Sequence, residues 1–148
     1  GISDVPVFVG VGGGITGGDR AVRLAIEAEN QGAFGVVVNA PISDEVISRI
    51  KQVVDIPVIA TIVSDRMDIR SRMEAGADFL NVSGAAATPQ IVRSIRAQFP
   101  DVPILATGGP NEKTILETIR AGANAITYSP PSNGELFADI MQKYRGKL

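Results

Sequence analysis

The chain of 148 residues contains no cysteine and no histidine. Without cysteine there is no disulfide framework and no thiolate nucleophile, which fits a reducing compartment and leads us to expect a cytoplasmic protein. Without histidine, the commonest general base and the commonest metal ligand are both missing. Charge of one sign is also lacking: the net charge is −2, with Lys and Arg scattered along helical segments. No electrostatic footprint for a nucleic-acid partner is therefore expected. No apolar run reaches the roughly 18 residues that span a bilayer, and no charged-then-apolar leader opens the chain, so no membrane partner is expected.

What is present is an ordinary globular composition, 45% hydrophobic and 20% charged, enough for the core of a single domain over 1–148. It is organised by two interleaved phrases. Asp-apolar-Pro-apolar occurs at Asp4-Val5-Pro6-Val7, Asp55-Ile56-Pro57-Val58 and Asp101-Val102-Pro103-Ile104, at intervals of 51 and 46 residues. Gly-Ala occurs at Gly32-Ala33, Gly76-Ala77 and Gly122-Ala123, at intervals of 44 and 46. Each phrase opens a short apolar run of the kind found in strands buried on both faces: Val5–Gly10, Gly35–Asn39, Ile56–Ile62, Phe79–Val82, Val102–Thr107 and Ala125–Tyr128. Proline is tolerated at a first strand position.

Helical patterns lie between the runs. Asp19 is placed to cap Arg20–Gln31, with Ala21, Leu24, Ala25 and Ala28 as one stripe, and Ser43 to cap Asp44–Val53, with Val46, Ile47 and Ile50 inward. A third helix begins at Asp65 or Arg66 and runs to about Ala75. Thr88-Pro89 reads as an N-cap with proline behind it, leading to Gln98 with Ile91, Val92 and Ile95 inward. Asn111 caps Glu112–Ala121 with Ile115, Leu116 and Ile119 inward, and a last helix starts at Gly134 or Glu135. Gly32, Gly76 and Gly122 fall where a helix ends in positive φ.

Strict alternation of strand and helix means a parallel sheet. A doubly wound sheet is the competing layout. The alternation of two phrases favours the α/β (β/α)8 TIM barrel, whose interior is filled in layers from odd and even strands. Three copies of a two-strand unit give six βα units, whereas an eight-stranded barrel calls for four. One strand–helix–strand–helix unit is thus expected upstream, making these strands three to eight; the alternative is a naturally six-stranded sheet.

Barrel chemistry sits in the loops after strand C-termini. Two of these are glycine-rich: Gly10-Val11-Gly12-Gly13-Gly14-Ile15-Thr16-Gly17-Gly18 and Thr107-Gly108-Gly109-Pro110. Glycine lets backbone N–H groups approach an anion, and a following helix N-terminus adds a favourable dipole. For either loop alone, tight βα turns account for the glycines equally well. The recurrence at one point of the repeat favours an anion site.

The segment Val9–Thr16 resembles the third-strand loop of the phosphate-binding TIM barrels of histidine biosynthesis, and Thr107-Gly108-Gly109 resembles the loop after their seventh strand. Val38-Asn39-Ala40 and Tyr128-Ser129-Pro130-Pro131-Ser132 stand at their fourth- and eighth-strand ends. The ending Ala125–Phe137 is similar to a bacterial phosphate-binding barrel family whose members carry the label hydrolase. The resemblance implies a small phosphorylated ligand, held by Thr107, Gly108, Gly109 and Ser129, with Gly13, Gly14, Thr16 and Asn39 as a second phosphate site. Pro130 and Pro131 depart from the pattern, since they supply no N–H groups.

No catalyst is legible. The strand ends carry Asn39, Thr61, Ser64, Asn81, Ser83, Thr107, Thr127 and Ser129, none of them charged, and no lysine for a Schiff base. The histidine-biosynthesis enzymes have a carboxylate at the fifth-strand end where this chain has Thr61 nearby, so their reaction does not transfer. Asp65 is the nearest acid and reads first as a helix cap. Thr61, Asn81 and Ser83 are the candidate substrate-binding residues; Asn39 and Asn81 stand at equivalent points of successive repeats, where orienting a substrate hydroxyl or enolate and bonding to neighbouring loop backbone are equal readings. No carboxylate spacing reads as a metal site, and no cofactor is implied. Two functions follow: an enzyme (hydrolase, isomerase or lyase) acting on a small phosphorylated metabolite, or a non-catalytic sensor of such a ligand; a purely structural domain ranks third. Open sheet edges predict self-association through the open barrel side.

Overall fold

The computed structural model describes residues 4–12, 17–109, 111–129 and 131–146. Strands and helices alternate: β1 (Phe8–Val11), α1 (Gly18–Asn30), β2 (Gly35–Val38), α2 (Asp44–Val53), β3 (Val58–Ile62), α3 (Ile69–Glu74), β4 (Phe79–Val82), α4 (Thr88–Gln98), β5 (Ile104–Thr107), α5 (Glu112–Arg120), β6 (Ala125–Thr127) and α6 (Asn133–Arg145). A 3-10 turn, Ala85–Ala87, leads into α4. The six strands form one parallel sheet in the order β1-β2-β3-β4-β5-β6. A doubly wound sheet reverses its strand order at a switch point. Here the order never reverses, so right-handed crossovers lay every helix on the same side of the sheet. The result is a six-unit arc of the (β/α)8-barrel architecture.

Alternation of side chains along each strand sorts the sheet into two faces. Val36, Val38, Val58, Ala60, Ile62, Leu80, Val82, Ile104 and Ala106 join the inward residues of the helices in one buried cluster. Their alternates, Val37, Ile59, Thr61, Phe79, Asn81, Leu105 and Thr107, point to the concave side, the barrel lumen. Ile59 is fully buried yet outside the helix-side cluster, as its parity requires.

The two repeated phrases interlock physically. The residue after Gly-Ala brackets the residue after Pro on the preceding strand. Asp78 donates its N–H to the Val58 carbonyl (2.7 Å) and accepts the Val58 N–H on its carboxylate (2.9 Å). Asn124 does the same with Ile104, at 2.9 Å in both directions. A cation from the helix that precedes the bracketed strand closes each clasp: Lys51 on Asp78 at 2.7 Å and Arg96 on Asn124 at 2.9 Å. In the first repeat Phe34 takes this position. Its N–H still donates to the Val7 carbonyl (2.7 Å), but its ring meets Phe8 edge-on instead of accepting a hydrogen bond.

Several local expectations are corrected. Strand pairing starts after the prolines rather than at them, although the Pro57 and Pro103 carbonyls accept from Val36 and Leu80. Gly17, not Asp19, is the N-cap of α1; Asp19 lies in the first turn, paired with Arg49. Asp68, not Asp65, caps α3, its side chain accepting from the Ser71 N–H. Thr88 is the first residue of α4 rather than its cap, because its hydroxyl accepts from Gly84 and holds the preceding turn. Ser132 caps α6 through a reciprocal box with Glu135. The inward stripes of α2 and α4 are as read, but Leu24, Leu116 and Ile119 are exposed. On α5 the reason is its neighbour: no described residue of α6 is buried, so the flank of α5 is left uncovered.

Candidate functional site

The strand ends bring the described candidates onto the lumen face. Thr61 and Asn81 are register partners, and the Asn81 Nδ2 donates to the Thr61 Oγ1 at 3.2 Å. Asn39 stands one residue beyond the Val38–Ala60 pair and so beside Thr61, its amide lying over Gly10, where a Cβ would come within 3.0 Å of Nδ2. Ser83 follows the Val82–Ala106 pair and so neighbours Thr107, which pairs with Thr127. Two polar rows result: Asn39–Thr61–Asn81, and one step nearer the rim Ser83–Thr107–Thr127. Gly13, Gly14 and Thr16 lie outside the described residues.

Beyond the second row, a cleft of about 620 Å³ opens between the loops after β5 and β6, with Thr107, Gly109, Tyr128, Ser129 and the starts of α5 and α6 around it. This size is typical of small-molecule sites. The sequence shapes it locally. Gly109 holds φ +82°, which turns the chain into α5. Asn111 and Thr114 form a capping box there, and Ser132 with Glu135 forms another at α6. Caps satisfy some of the orphan donors of a helix start and leave the first N–H groups pointing outward. Three of the C-terminal candidates, Thr107, Gly109 and Ser129, thus meet at one cleft.

Gly108 lines the adjoining cleft and is also held by packing. Its N–H donates to the Thr127 carbonyl at 2.9 Å, and a Cβ would meet Ile126 at 2.5 Å and Ile115 at 2.8 Å. It is a packing glycine whose donor is already engaged. A second cleft, about 500 Å³, adjoins the first at Thr107 and Gly109 and extends to Ala85, Thr88 and Thr118. Ala85 at its edge holds φ +51°, an uncommon value for a residue with a side chain.

Sequence reasoning missed Asn111, Glu112, Tyr128 and Glu135 as cleft residues; the box spacing Ser132-x-x-Glu135 was the available signal. The two glutamates set the electrostatics. Hydrogen bonds from the Ser132 hydroxyl and N–H hold the Glu135 carboxyl below its usual range, so it is an anion rather than a proton donor near neutral pH. No lysine or arginine lines this cleft among the described residues. Asp65, the acid nearest a strand end, lines a separate cleft of about 260 Å³ between α3 and α4, with Arg70 stacked over Phe99 at 5.3 Å.

No family model matches the chain, and no curated protein matches it either. Solved structures do. The native KDPGal structure aligns with a TM-score of 0.62 at 20% identity, over 82% of this chain and 54% of that one. A protein assigned as a phosphonomutase from Burkholderia cenocepacia J2315 aligns with a TM-score of 0.65 at 20% identity, over 97% of this chain and 68% of its own. A cube-shaped, porous protein cage designed by fusing symmetric oligomeric domains aligns with a TM-score of 0.60 at 18% identity, over 85% and 53%. The chain therefore spans about half the length of two of these structures. At such identities the likeness establishes the fold, a TIM-barrel arc, and leaves function to the site.

Proposed function

We propose that this chain is a phosphate-binding barrel unit that holds a small phosphorylated metabolite at the rim of its lumen. The observation that carries the reading is the cleft between the β5 and β6 loops, where Thr107, Gly109 and Ser129 meet the starts of α5 and α6. Two helix N-termini and two hydroxyls supply donors and a converging positive dipole for an anion. Glu112 and Glu135 oppose it, so binding rests on donors rather than on a cation. The neighbouring structures described as KDPGal and as a phosphonomutase support a phosphorylated ligand by analogy of fold.

The test is binding of inorganic phosphate, measured by calorimetry at matched ionic strength, because phosphate also stabilises proteins non-specifically by exclusion. Ser129→Ala and Thr107→Val should weaken it severalfold. Glu135→Gln, which keeps an oxygen for the cap and removes the charge, should tighten it by about threefold to tenfold on Coulomb's law across a few ångströms of partly hydrated cleft. Phosphate heats indifferent to all three substitutions would remove the site.

A second reading, binding without turnover, is favoured by the uncharged strand ends. Asn39, Thr61, Asn81, Ser83 and Thr107 can orient a ligand, but none ionises near neutral pH to serve as a general acid or base. Ligand-induced stabilisation with no conversion of phosphosugars would support it; steady conversion would favour an enzyme.

A further inference from the structure

We infer that the second cleft, between the Ala85–Ala87 turn and α5, takes an apolar group esterified to the bound phosphate. The ligand is then the phosphate monoester of an aryl or branched alkyl alcohol, lying across the rim rather than down the lumen. The inference rests on the phosphate reading of the β5/β6 cleft. Its own evidence is the placing and the lining of the neighbouring cavity. The two clefts share Thr107 and Gly109, so one small molecule can occupy both. The strand changes sides at this point: Thr107 faces the lumen, whereas Gly108 is buried on the helix side. The second cleft follows Gly108 between α4 and α5, over about 500 Å³. Gly109 keeps the passage open, since a Cβ there would come within 2.6 Å of the Thr114 hydroxyl.

The walls of this cleft offer mainly carbon. Ala85, Ala86 and Pro89 bring side chains without polar atoms. Three of its four threonines spend their hydroxyls inside the protein. Thr88 accepts from the Gly84 N–H at 2.9 Å, Thr114 donates to the Asn111 carbonyl at 2.8 Å, and Thr118 donates to the Thr114 carbonyl at 2.8 Å. The fourth, Thr107, stands at the junction with the anion cleft. A hydroxylated chain placed here would give up its water for few partners, which is unfavourable. Charge selects in the same direction. Glu117 is the one ionisable residue lining the cleft among the described residues, and it would repel a carboxylate or a second phosphate. Ala85 and Ala86 are exposed, so an apolar group laid against them removes apolar surface of both from water. Ala85 also holds its φ of +51° at this wall, and strain of that kind gathers at ligand sites.

Calorimetry on this chain at about pH 8, where phosphate monoesters are dianions, compares inorganic phosphate, phenyl phosphate and glycerol 3-phosphate. Phenyl phosphate should bind about tenfold tighter than inorganic phosphate, the gain expected from burying about half of its ring. Glycerol 3-phosphate should not share that gain. Ala86→Gln, on the exposed turn, fills the cleft with a polar side chain; it should remove most of the gain and leave inorganic phosphate binding unchanged. Ala85→Gly takes one methyl from the wall and relieves the positive φ. It should lower the gain about threefold while raising the thermal midpoint, so it carries the test if Ala86→Gln folds poorly. Equal binding of inorganic and phenyl phosphate, glycerol 3-phosphate bound as tightly as phenyl phosphate, or a gain indifferent to both substitutions overturns the apolar subsite and leaves the phosphate reading standing. Absence of binding by all three probes overturns both.

Discussion

Replacing Asp78 by Ala removes the acceptor for the Val58 N–H in a place water does not reach, since Val58 is 0% exposed. An orphaned backbone donor costs about 1–3 kcal/mol. The lost ion pair with Lys51 adds little: its side chains are 37% and 34% exposed, so solvent screening holds it to about 0.5 kcal/mol. The sum is about 2 kcal/mol. Asp78→Asn keeps an oxygen for Val58 and gives up only the charge, so it should cost about 0.5 kcal/mol. The chain itself supplies the precedent, because Asn124 performs the same task for Ile104 one repeat later. In urea denaturation with an m-value of about 2 kcal/mol per molar, Ala should lower the midpoint by about 1 M and Asn by about a quarter of that. Added salt should remove the same ion-pair part from both effects, which erases most of the Asn effect and leaves most of the Ala effect. If Asn is as damaging as Ala, the charge pair and not the acceptor holds the clasp. If Ala costs under about 0.5 kcal/mol, the Val58 N–H finds another partner and the argument fails.

Gly108→Ala places a Cβ against Ile126 and Ile115 and should destabilise the chain by about 1–3 kcal/mol through overpacking, read as a lower urea midpoint at unchanged m-value. Glu135 has a folded-state pKa below its ordinary value, so its contribution to α6 is complete above about pH 4.5 and is lost as pH falls through the depressed value. Helical circular dichroism should therefore fall in that acid window, and Glu135→Gln should flatten the dependence. Leu136, Phe137, Ile140, Met141 and Tyr144 leave α6 with exposed apolar surface at one end of the arc, and Val7, Phe8 and Phe34 expose more at the other. We propose head-to-tail pairing of copies across these ends, which would cover the apolar patch at one end with that at the other. Sedimentation over a micromolar-to-millimolar range should show association that Phe137→Glu abolishes; a parent chain monomeric throughout refutes it.

The architecture was legible because its signals are local and repeated. The continuous apolar runs, the glycines after α1, α3 and α5 with positive φ, and the alternation of two phrases each reported one feature of the arc. What the phrases do was not legible. That Asp78 reaches back to Val58, 20 residues earlier, depends on strand pairing that spacing alone does not reveal. The caps at Asp19 and Asp65 were misplaced for a related reason. Asp19 finds Arg49 across the helix layer, and Asp68 competes for the same short helix as Asp65.

The candidate site shows the same division. Parity along β3, β4 and β5 is enough to put Thr61, Asn81 and Thr107 on the lumen side, because the helix-side alternates are uniformly apolar. Glycine-rich loops, by contrast, mix two causes that sequence cannot separate. Gly108 is fixed by the bulk of Ile115 and Ile126 and spends its N–H on Thr127, whereas Gly109 supplies the turn that opens the cleft. The same dipeptide thus joins a constraint of packing to a condition of binding. A substitution at Gly108 reports on the sheet–helix interface, and only changes at Thr107, Ser129 or Glu135 report on the anion.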